Sequence, residues 1–329
     1  MRDQTYRPIE WIVVDAAGSG ITAPSAGDLN VRRVGTNSRL HRAAAANAGL
    51  DAATGQLLMI LDDDDLILPE HVHGLAAALD ANPSCALAYA DVDVQDERGA
   101  PVGIYAWDYS RLQLARQNLF PVHAALFDAG LVRNRGCRFD ETLEFFEDWD
   151  LWLQVAQHTD FVHHPRATAI YRNFLSQSGV MNAGTADAHQ RCNADLARIQ
   201  QRYGELRRIE EGKRDGVKRD ARLAEFRGDP GAAAALWRRA YGLDTADVEV
   251  LVRLGAIAMR ARDHAAAANA LGRAARIAPF APEVHWHHAL ALDALGKRVD
   301  AEAARARALE LDPQIETKIR KPPALDSRP

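Results

Sequence analysis

Short apolar runs alternate with helical stretches over the first half of the chain. Runs at residues 9–15, 57–61, 86–94 and 167–172 predict strands, and residues 29–34 are a further candidate. Residues 57–61 form a continuous apolar run, which is typical of a strand buried on both faces. Helical character at residues 39–53, 69–80 and 138–157 completes an alternating pattern. This order predicts an α/β domain, in which ligands bind beyond the carboxyl ends of the strands.

Four consecutive aspartates occupy residues 62–65, directly after one of these runs. In an extended chain, Asp62 and Asp64 would share one face and Asp63 and Asp65 the other. Two carboxylates on one face suit a hard divalent cation, because such ions prefer oxygen ligands. The alternative is a solvated acidic turn that caps the next helix. The run by itself leaves both interpretations open.

A second group of acids begins the helix in residues 138–157. Glu147, Asp148 and Asp150 lie in or before its first turn, where the helix dipole stabilises negative charge. The functional alternative is a general base, with Trp149 and Trp152 excluding water and shaping a sugar site. The polar segment that follows, residues 173–184, predicts a mobile lid over a bound substrate.

Two further features have mainly structural interpretations. His123 is a lone histidine in the apolar segment 118–127, a pattern more typical of a packed side chain than of a ligand. Asp91 and Asp93 share one face of the predicted strand 86–94, which indicates a half-exposed edge strand.

Small residues recur with a spacing of 34 in the last third of the chain. The sets are Ala221, Gly255 and Ala289; Ala233, Ala267 and Ala301; and Ala240, Ala274 and Ala308. This period resembles tetratricopeptide repeats, with three repeats at about 214–247, 248–281 and 282–315. Such arrays bind a protein partner in a concave groove, and the alternative is an appendage that serves only packing. His285, His287 and His288 are interpreted as groove or packing residues.

Length and charge limit the class of protein. The 329 residues suffice for about two domains, and the net charge of -5 gives no basic footprint for nucleic acid. Without an apolar run long enough to span a bilayer or a signal-peptide core, the expected location is cytoplasmic, with peripheral membrane association left open. Three scattered cysteines indicate reduced thiols.

The motifs of residues 1–180 resemble, in their order, those of the family 2 glycosyltransferases, which have the GT-A fold. The matching segments are YRPIEWIVVD, NAGLDAATGQ, LDDDDLILPEH, FDETL, EDWDLWL and the pair Tyr171 and Arg172. The resemblance implies transfer of a sugar from a nucleotide diphosphate donor, such as a UDP-sugar, to a glycan or lipid-linked acceptor. It also implies inversion at the anomeric carbon and Mn²⁺ or Mg²⁺ on the diphosphate.

On the donor side, the resemblance assigns Asp64 to the metal and Asp62 to the ribose or a metal-bound water. Asp15 matches an acid that contacts the nucleobase, and Arg172 matches a basic position that could pair with the diphosphate. His123 lies in a segment often used near donor or acceptor.

On the acceptor side, Asp148 matches the acid that takes the proton from the acceptor hydroxyl, with Glu147 in support. No QxxRW pattern is present, so the resemblance does not extend to the processive synthases.

The chain departs from the family pattern in three ways. Ala16 and Ala17 stand where a second acid is usual, and Ala46 stands where an arginine often precedes Asn47. The strand and helix that usually precede Tyr6 have no counterpart, which predicts a gap in the nucleotide pocket. Either the true start lies upstream, or nucleotide binding is weak or absent. A degenerate transferase domain that serves as a scaffold for the repeats is therefore the alternative function.

The expected organisation has four parts. A GT-A domain spans residues 1–180 and a helical linker spans 181–213. Tetratricopeptide-like repeats cover 214–315, and a disordered tail follows at 316–329.

Overall fold

A computed structural model describes residues 1–20, 22, 29–35, 39–172 and 186–320. It divides into two compact units, Met1–Arg208 and Ile209–Pro329. The first is an α/β unit and the second is a helical array, as the sequence predicted. The predicted lid, residues 173–184, lies outside the described residues.

The described strands of the first unit form two sheets. Their bounds are β1 (Glu10–Asp15), β2 (Asn30–Gly35), β3 (Leu57–Leu58), β4 (Leu66–Ile67), β5 (Cys85–Gln95), β6 (Pro101–Tyr105), β7 (Ala125–Asp128) and β8 (Asp160–Arg172). β1 and β2 are a parallel pair. The larger sheet has the order β3-β7-β5-β8-β4, and β6 pairs with the second half of β5.

Helices cover both faces of the larger sheet. The helices of this unit are α1 (Arg42–Ala52), α2 (His71–Ala81), α3 (Arg111–Leu114), α4 (Gly130–Arg133), α5 (Glu147–Val155) and α6 (Ala186–Arg202). Side chains alternate along β5: Leu87 and Tyr89 pack in the cluster that contains α5, whereas Ala88 and Ala90 pack in the cluster that contains α2. This alternation gives a sheet buried between two helical layers.

Two strand predictions were wrong in detail. Of the apolar run 57–61, only Leu57–Leu58 pairs, at the edge of the sheet, and Met59 to Leu61 are half-buried. β5 is central rather than a half-exposed edge, because it pairs with β6, β7 and β8. Asp91 on β5 is consequently buried and bonds to His163.

A cleft lies between β1 and β3. In the described part of the chain no strand joins the two sheets, and β1 and residues 56–63 both line a cavity of about 750 Å³. Apolar side chains of β1, including Trp11 and Ile12, are half-buried there. A gap in this region was expected from the family resemblance.

Among its described residues, the second unit contains most of helix α7 (Gly204–Phe226) and six further helices. These are α8 (Pro230–Leu243), α9 (Val248–Arg260), α10 (His264–Ile277), α11 (Pro282–Ala294), α12 (Arg298–Leu311) and α13 (Ile315–Arg320). The recurring small residues are buried, and a Cβ on Gly255 would lie 2.6 Å from Leu271 Cγ. Small side chains therefore allow close helix packing at the 34-residue spacing.

The boundaries differ from the expected linker and tail. Ile199 and Tyr203, in the segment predicted as a linker, are buried in the core of the first unit. Helix α13 occupies the start of the segment predicted as a disordered tail, and residues 321–329 lie outside the described part of the chain.

Candidate active site

The four aspartates form a turn rather than an extended segment, because the Asp65 amide donates to the Asp62 carbonyl oxygen (3.4 Å). Asp65 is buried and accepts a hydrogen bond from the Arg172 amide (3.1 Å). Asp62 and Asp64 are half-buried, and Asp63 is exposed. The predicted split into two faces of a strand is therefore wrong, and Asp65 anchors the turn instead.

This turn contacts the buried His123, which itself contacts the buried His71. His123 is fully buried, and its Nδ1 lies 2.7 Å from Asp65 Oδ2 without hydrogen-bond alignment. The His123 carbonyl oxygen lies 3.2 Å from His71 Nε2, while His71 Nδ1 lies 2.7 Å from Thr168 Oγ1. Because a carbonyl can only accept, Nε2 carries the proton of His71. Burial lowers the pKa of His71 to about 4, so the ring is neutral.

His123 is consequently not exposed to a ligand in this structure. Among the described residues of the site, it contacts Asp65 and stacks against Tyr171 (ring centroids 6.4 Å apart), and its place among the donor-binding residues stays a prediction. Its signal in the sequence was the apolar segment around it, which favoured a packed side chain.

Helix α5 begins abruptly and places two acids at its N-terminus. Phe146, the residue before the helix, has φ +62°, a left-handed conformation that is strained for a bulky side chain. Glu147 is buried and Asp148 is half-buried. Asp148 Oδ2 accepts from Asn118 Nδ2 (2.9 Å), and Oδ1 accepts from the Trp149 amide (2.7 Å).

Both of these acids hold protons more tightly than usual. Burial, together with the charge of Asp148, raises the pKa of Glu147 to about 7, although Arg42 opposes the rise. Burial also raises the pKa of Asp148, again against the effect of Arg42. A raised pKa makes a carboxylate a better proton acceptor, so this pair suits general base catalysis.

Arg42, the first residue of α1, joins the acidic turn to α5. One guanidinium nitrogen lies 2.6 Å from Asp62 Oδ2 and the other lies 3.1 Å from Glu147 Oε1. These contacts bring the two predicted acid groups into one site.

Sequence reasoning missed Arg42, although a signal was present. Arg42 lies four residues before Ala46, the position that departs from the family pattern. Residues four apart share a face of a helix, and both side chains line the cleft. A search one helical turn upstream of Ala46 would have found this arginine.

The two tryptophans do not shape a sugar site. Trp149 donates through Nε1 to the Leu114 carbonyl oxygen (2.7 Å), and Trp152 is fully buried in the core. Two half-buried aromatic rings, Tyr105 and Tyr171, pack edge-to-face with centroids 6.5 Å apart. Burial and the Asp148 charge raise the pKa of Tyr105, in keeping with a position close to Asp148.

Asp15 lies at the carboxyl end of β1, as expected, but its oxygens already have donors. It accepts from Arg33 Nη2 (2.7 Å), the Gly20 amide (2.7 Å) and the Ser19 amide (3.1 Å). The Arg33 bond holds the pKa of Asp15 well below its usual range. Its contact with a nucleobase stays a prediction, as does the diphosphate contact of Arg172.

The carboxylate oxygens of the acidic turn are ligands of the kind that Mg²⁺ and Mn²⁺ prefer. Such ions are commonly held by one or two carboxylates, with substrate phosphates and water completing the shell. Asp62 and Asp64 can supply carboxylates. Among the described residues, no group of three or more His, Cys, Asp or Glu side chains could hold a metal alone. The diphosphate would therefore have to supply further ligands.

Comparison with known proteins supports the resemblance drawn from the motifs. Residues 1–130 match Glycosyl transferase family 2. The first part of the chain is therefore similar to the family 2 glycosyltransferases.

Three relatives are similar over parts of their length. Protein y4gI of Sinorhizobium fredii is 31% identical over 50% of this chain and 19% of its own. The glycosyltransferase YwdF of Bacillus subtilis is 24% identical over 61% of this chain and 75% of its own. The succinoglycan biosynthesis protein ExoO of Rhizobium meliloti is 24% identical over 50% and 54%. The chain thus spans about a fifth of the first relative and about half of the third.

None of the described helices combines the length and the apolar character needed to cross a bilayer.

Proposed function

We propose that the chain is an inverting, metal-dependent glycosyltransferase that moves a sugar from a nucleotide diphosphate donor, such as a UDP-sugar, to a hydroxyl of a glycan. The observation that carries the proposal is the link from Asp62 through Arg42 to Glu147. This link supports a shared site for the proposed donor-side acidic turn and the proposed base-side carboxylate pair. The similarity to ExoO supports a glycan acceptor.

Asp148 is the proposed general base. It is more exposed than Glu147, whose carboxylate is buried against Arg42, so an acceptor hydroxyl can reach it. As Asp148 takes the hydroxyl proton, the acceptor oxygen forms a bond to the anomeric carbon and the bond from that carbon to the diphosphate breaks. A single displacement of this kind inverts the anomeric centre.

The acidic turn is the proposed donor site. Asp64 and Asp62 would hold Mn²⁺ or Mg²⁺, which offsets the charge that develops on the leaving diphosphate. The hydrogen bond from the Arg172 amide to Asp65 fixes the turn relative to the end of β8. The protein thereby positions the metal ligands before the donor binds.

A comparison within the turn tests the donor site. We expect Mn²⁺-dependent binding of a UDP-sugar, measured by calorimetry across a panel of nucleotide sugars, and release of the nucleoside diphosphate. Asp64→Ala should abolish both. Asp63→Ala, which removes the same charge from an exposed neighbour, should retain them. Donor binding that is absent from the native chain, or equal in the two variants, would refute the proposal.

The alternative function is a scaffold whose transferase domain no longer binds donor. It is favoured by one observation: Asp15 and Asp62 are both paired with arginines of the same chain. Thermal stabilisation by a nucleotide sugar that disappears in Asp64→Ala would exclude it. A protein partner of the repeats belongs to either function.

A further inference from the structure

Arg42 has two partners of different proposed roles. Its guanidinium bridges Asp62, a proposed metal ligand, and Glu147, the neighbour of the proposed base. The Arg42 side chain is 49% exposed, so solvent surrounds half of it and it has room to move.

A divalent cation and Arg42 would compete for the same oxygens. A cation on Asp62 would lie within a few ångströms of the guanidinium, and two positive groups at such a distance repel each other. Glu147 offers Arg42 a second carboxylate that is buried and needs a counter-charge. Loss of the Asp62 contact therefore leaves Arg42 with a partner.

We infer that Arg42 is an intramolecular counter-ion that neutralises Asp62 while the donor site is empty. Binding of the cation to Asp62 displaces the Arg42 guanidinium from this carboxylate. This inference rests on the proposed function, because it requires a cation at the acidic turn. In the ion-free protein, Arg42 offsets the repulsion among the aspartates of the turn. After exchange, its charge is directed to Glu147, beside Asp148. Arg42 is thus a positioning residue that connects occupation of the donor site to the acid pair of α5.

The inference predicts a gain of metal affinity on removal of the arginine. Titration of the full chain with Mn²⁺ in the presence of saturating UDP, whose diphosphate completes the ligand set, should show tighter Mn²⁺ binding for Arg42→Ala than for the native protein. We expect a factor of about five or more, the usual lower range for coupling between two binding events. Loosening of the site by a purely structural effect would weaken binding, so the sign separates the two explanations.

Two variants serve as controls. Arg39→Ala removes the same charge from an exposed position close to the start of α1 and should leave Mn²⁺ affinity unchanged. Arg42→Lys keeps the charge but lacks the fork that reaches two carboxylates, so its affinity should fall between the native protein and Arg42→Ala.

The outcomes separate this inference from the proposed function. If the native chain binds Mn²⁺ and nucleotide sugar but Arg42→Ala binds Mn²⁺ equally or more weakly, the counter-ion role is refuted and the proposed function stands. An equal gain in Arg39→Ala also refutes it, since the effect would then be general electrostatics. If the native chain binds neither Mn²⁺ nor nucleotide sugar, both proposals fail.

Discussion

The two units of the chain differ in the sequence separation of the residues whose contacts organise them. In the first unit, Arg42, Asp62 and Glu147 meet although 105 residues separate the first from the last. In the second unit, buried small residues recur every 34 positions and pack between helices that are close in sequence. Local repetition thus specifies an array, whereas a reactive site requires contacts between distant elements.

Buried charge occurs in both units. The first unit places Asp65, Asp91 and Glu147 inside the protein, each with a histidine or arginine partner. The second unit buries Asp244 against Arg214, and its repeats add packing of small residues such as Gly255 against Leu271. Substitutions at the acid site of the first unit should affect chemistry and pH dependence, whereas substitutions at the small residues of the second should affect stability.

The largest effect is expected at the proposed base. Asp148→Asn should reduce kcat by about 10²- to 10⁴-fold, because the acceptor hydroxyl loses its proton acceptor. Donor binding should remain, as measured by calorimetry beside the turnover assay. The control is Asp80→Asn, an exposed residue of α2, which should behave like the native protein. Full turnover in Asp148→Asn would show that Asp148 of α5 is not the general base.

The next effect concerns a buried charge away from the site. His163 contacts Asp91 (2.7 Å) and Asp108 (3.1 Å) through its two ring nitrogens. Burial alone would lower the pKa of His163, but these bonds raise it from 6.5 to about 9. The imidazolium therefore contributes about 3 kcal/mol below pH 6.5, and this contribution is lost as the pH rises through 9.

Urea unfolding across pH 6 to 9.5 checks this expectation. The difference in unfolding free energy between native protein and His163→Gln should be greatest at the acidic end and shrink toward pH 9.5. His158→Gln, an exposed histidine, should show no such trend. A constant difference across the range would show that the charge of His163 contributes nothing.

A smaller effect is expected in the helical array. Gly255→Ala places a Cβ 2.6 Å from Leu271 Cγ, and overpacking of this kind costs about 1 to 3 kcal/mol. Alanine returns about 1 kcal/mol of helix propensity, so a net loss of about 1 kcal/mol is expected. Gly212→Ala, whose Cβ would meet open space, should instead stabilise the protein.

Thermal unfolding of both glycine variants measures these shifts, with donor binding followed in parallel. Donor binding should be unchanged in each. A loss of donor binding in Gly255→Ala would contradict the division between a chemical and a structural unit.

The smallest effect is a shift in pH dependence. The acidic limb of kcat/KM requires deprotonated Asp148, and its negative charge repels that of Glu147, which raises the pKa of Glu147. Glu147→Gln should move this limb to lower pH by less than about 1 unit, because a like charge is removed. A shift to higher pH would indicate that Glu147 aids the base by another route.

The sequence predicted most elements of the first unit, since apolar runs and alanine-rich helices carry local signals. It placed Asp148 in the first turn of a helix, where the structure has it. It did not predict that residues 62–65 turn, because Asp65 of this turn is buried and accepts a hydrogen bond from the amide of Arg172, which is 107 positions away. The tryptophans of α5 were misassigned for a similar reason, since only the fold shows which helix face meets the core.

The sequence by itself determined the two kinds of architecture and the supply of carboxylates, because periodicity and composition act locally. Tertiary structure decided which carboxylates are buried, which are paired and which remain open to a ligand. Arg42 pairs with Glu147 and His123 contacts Asp65, although the partners are distant in the chain. Burial produced by this packing raises the pKa of Glu147.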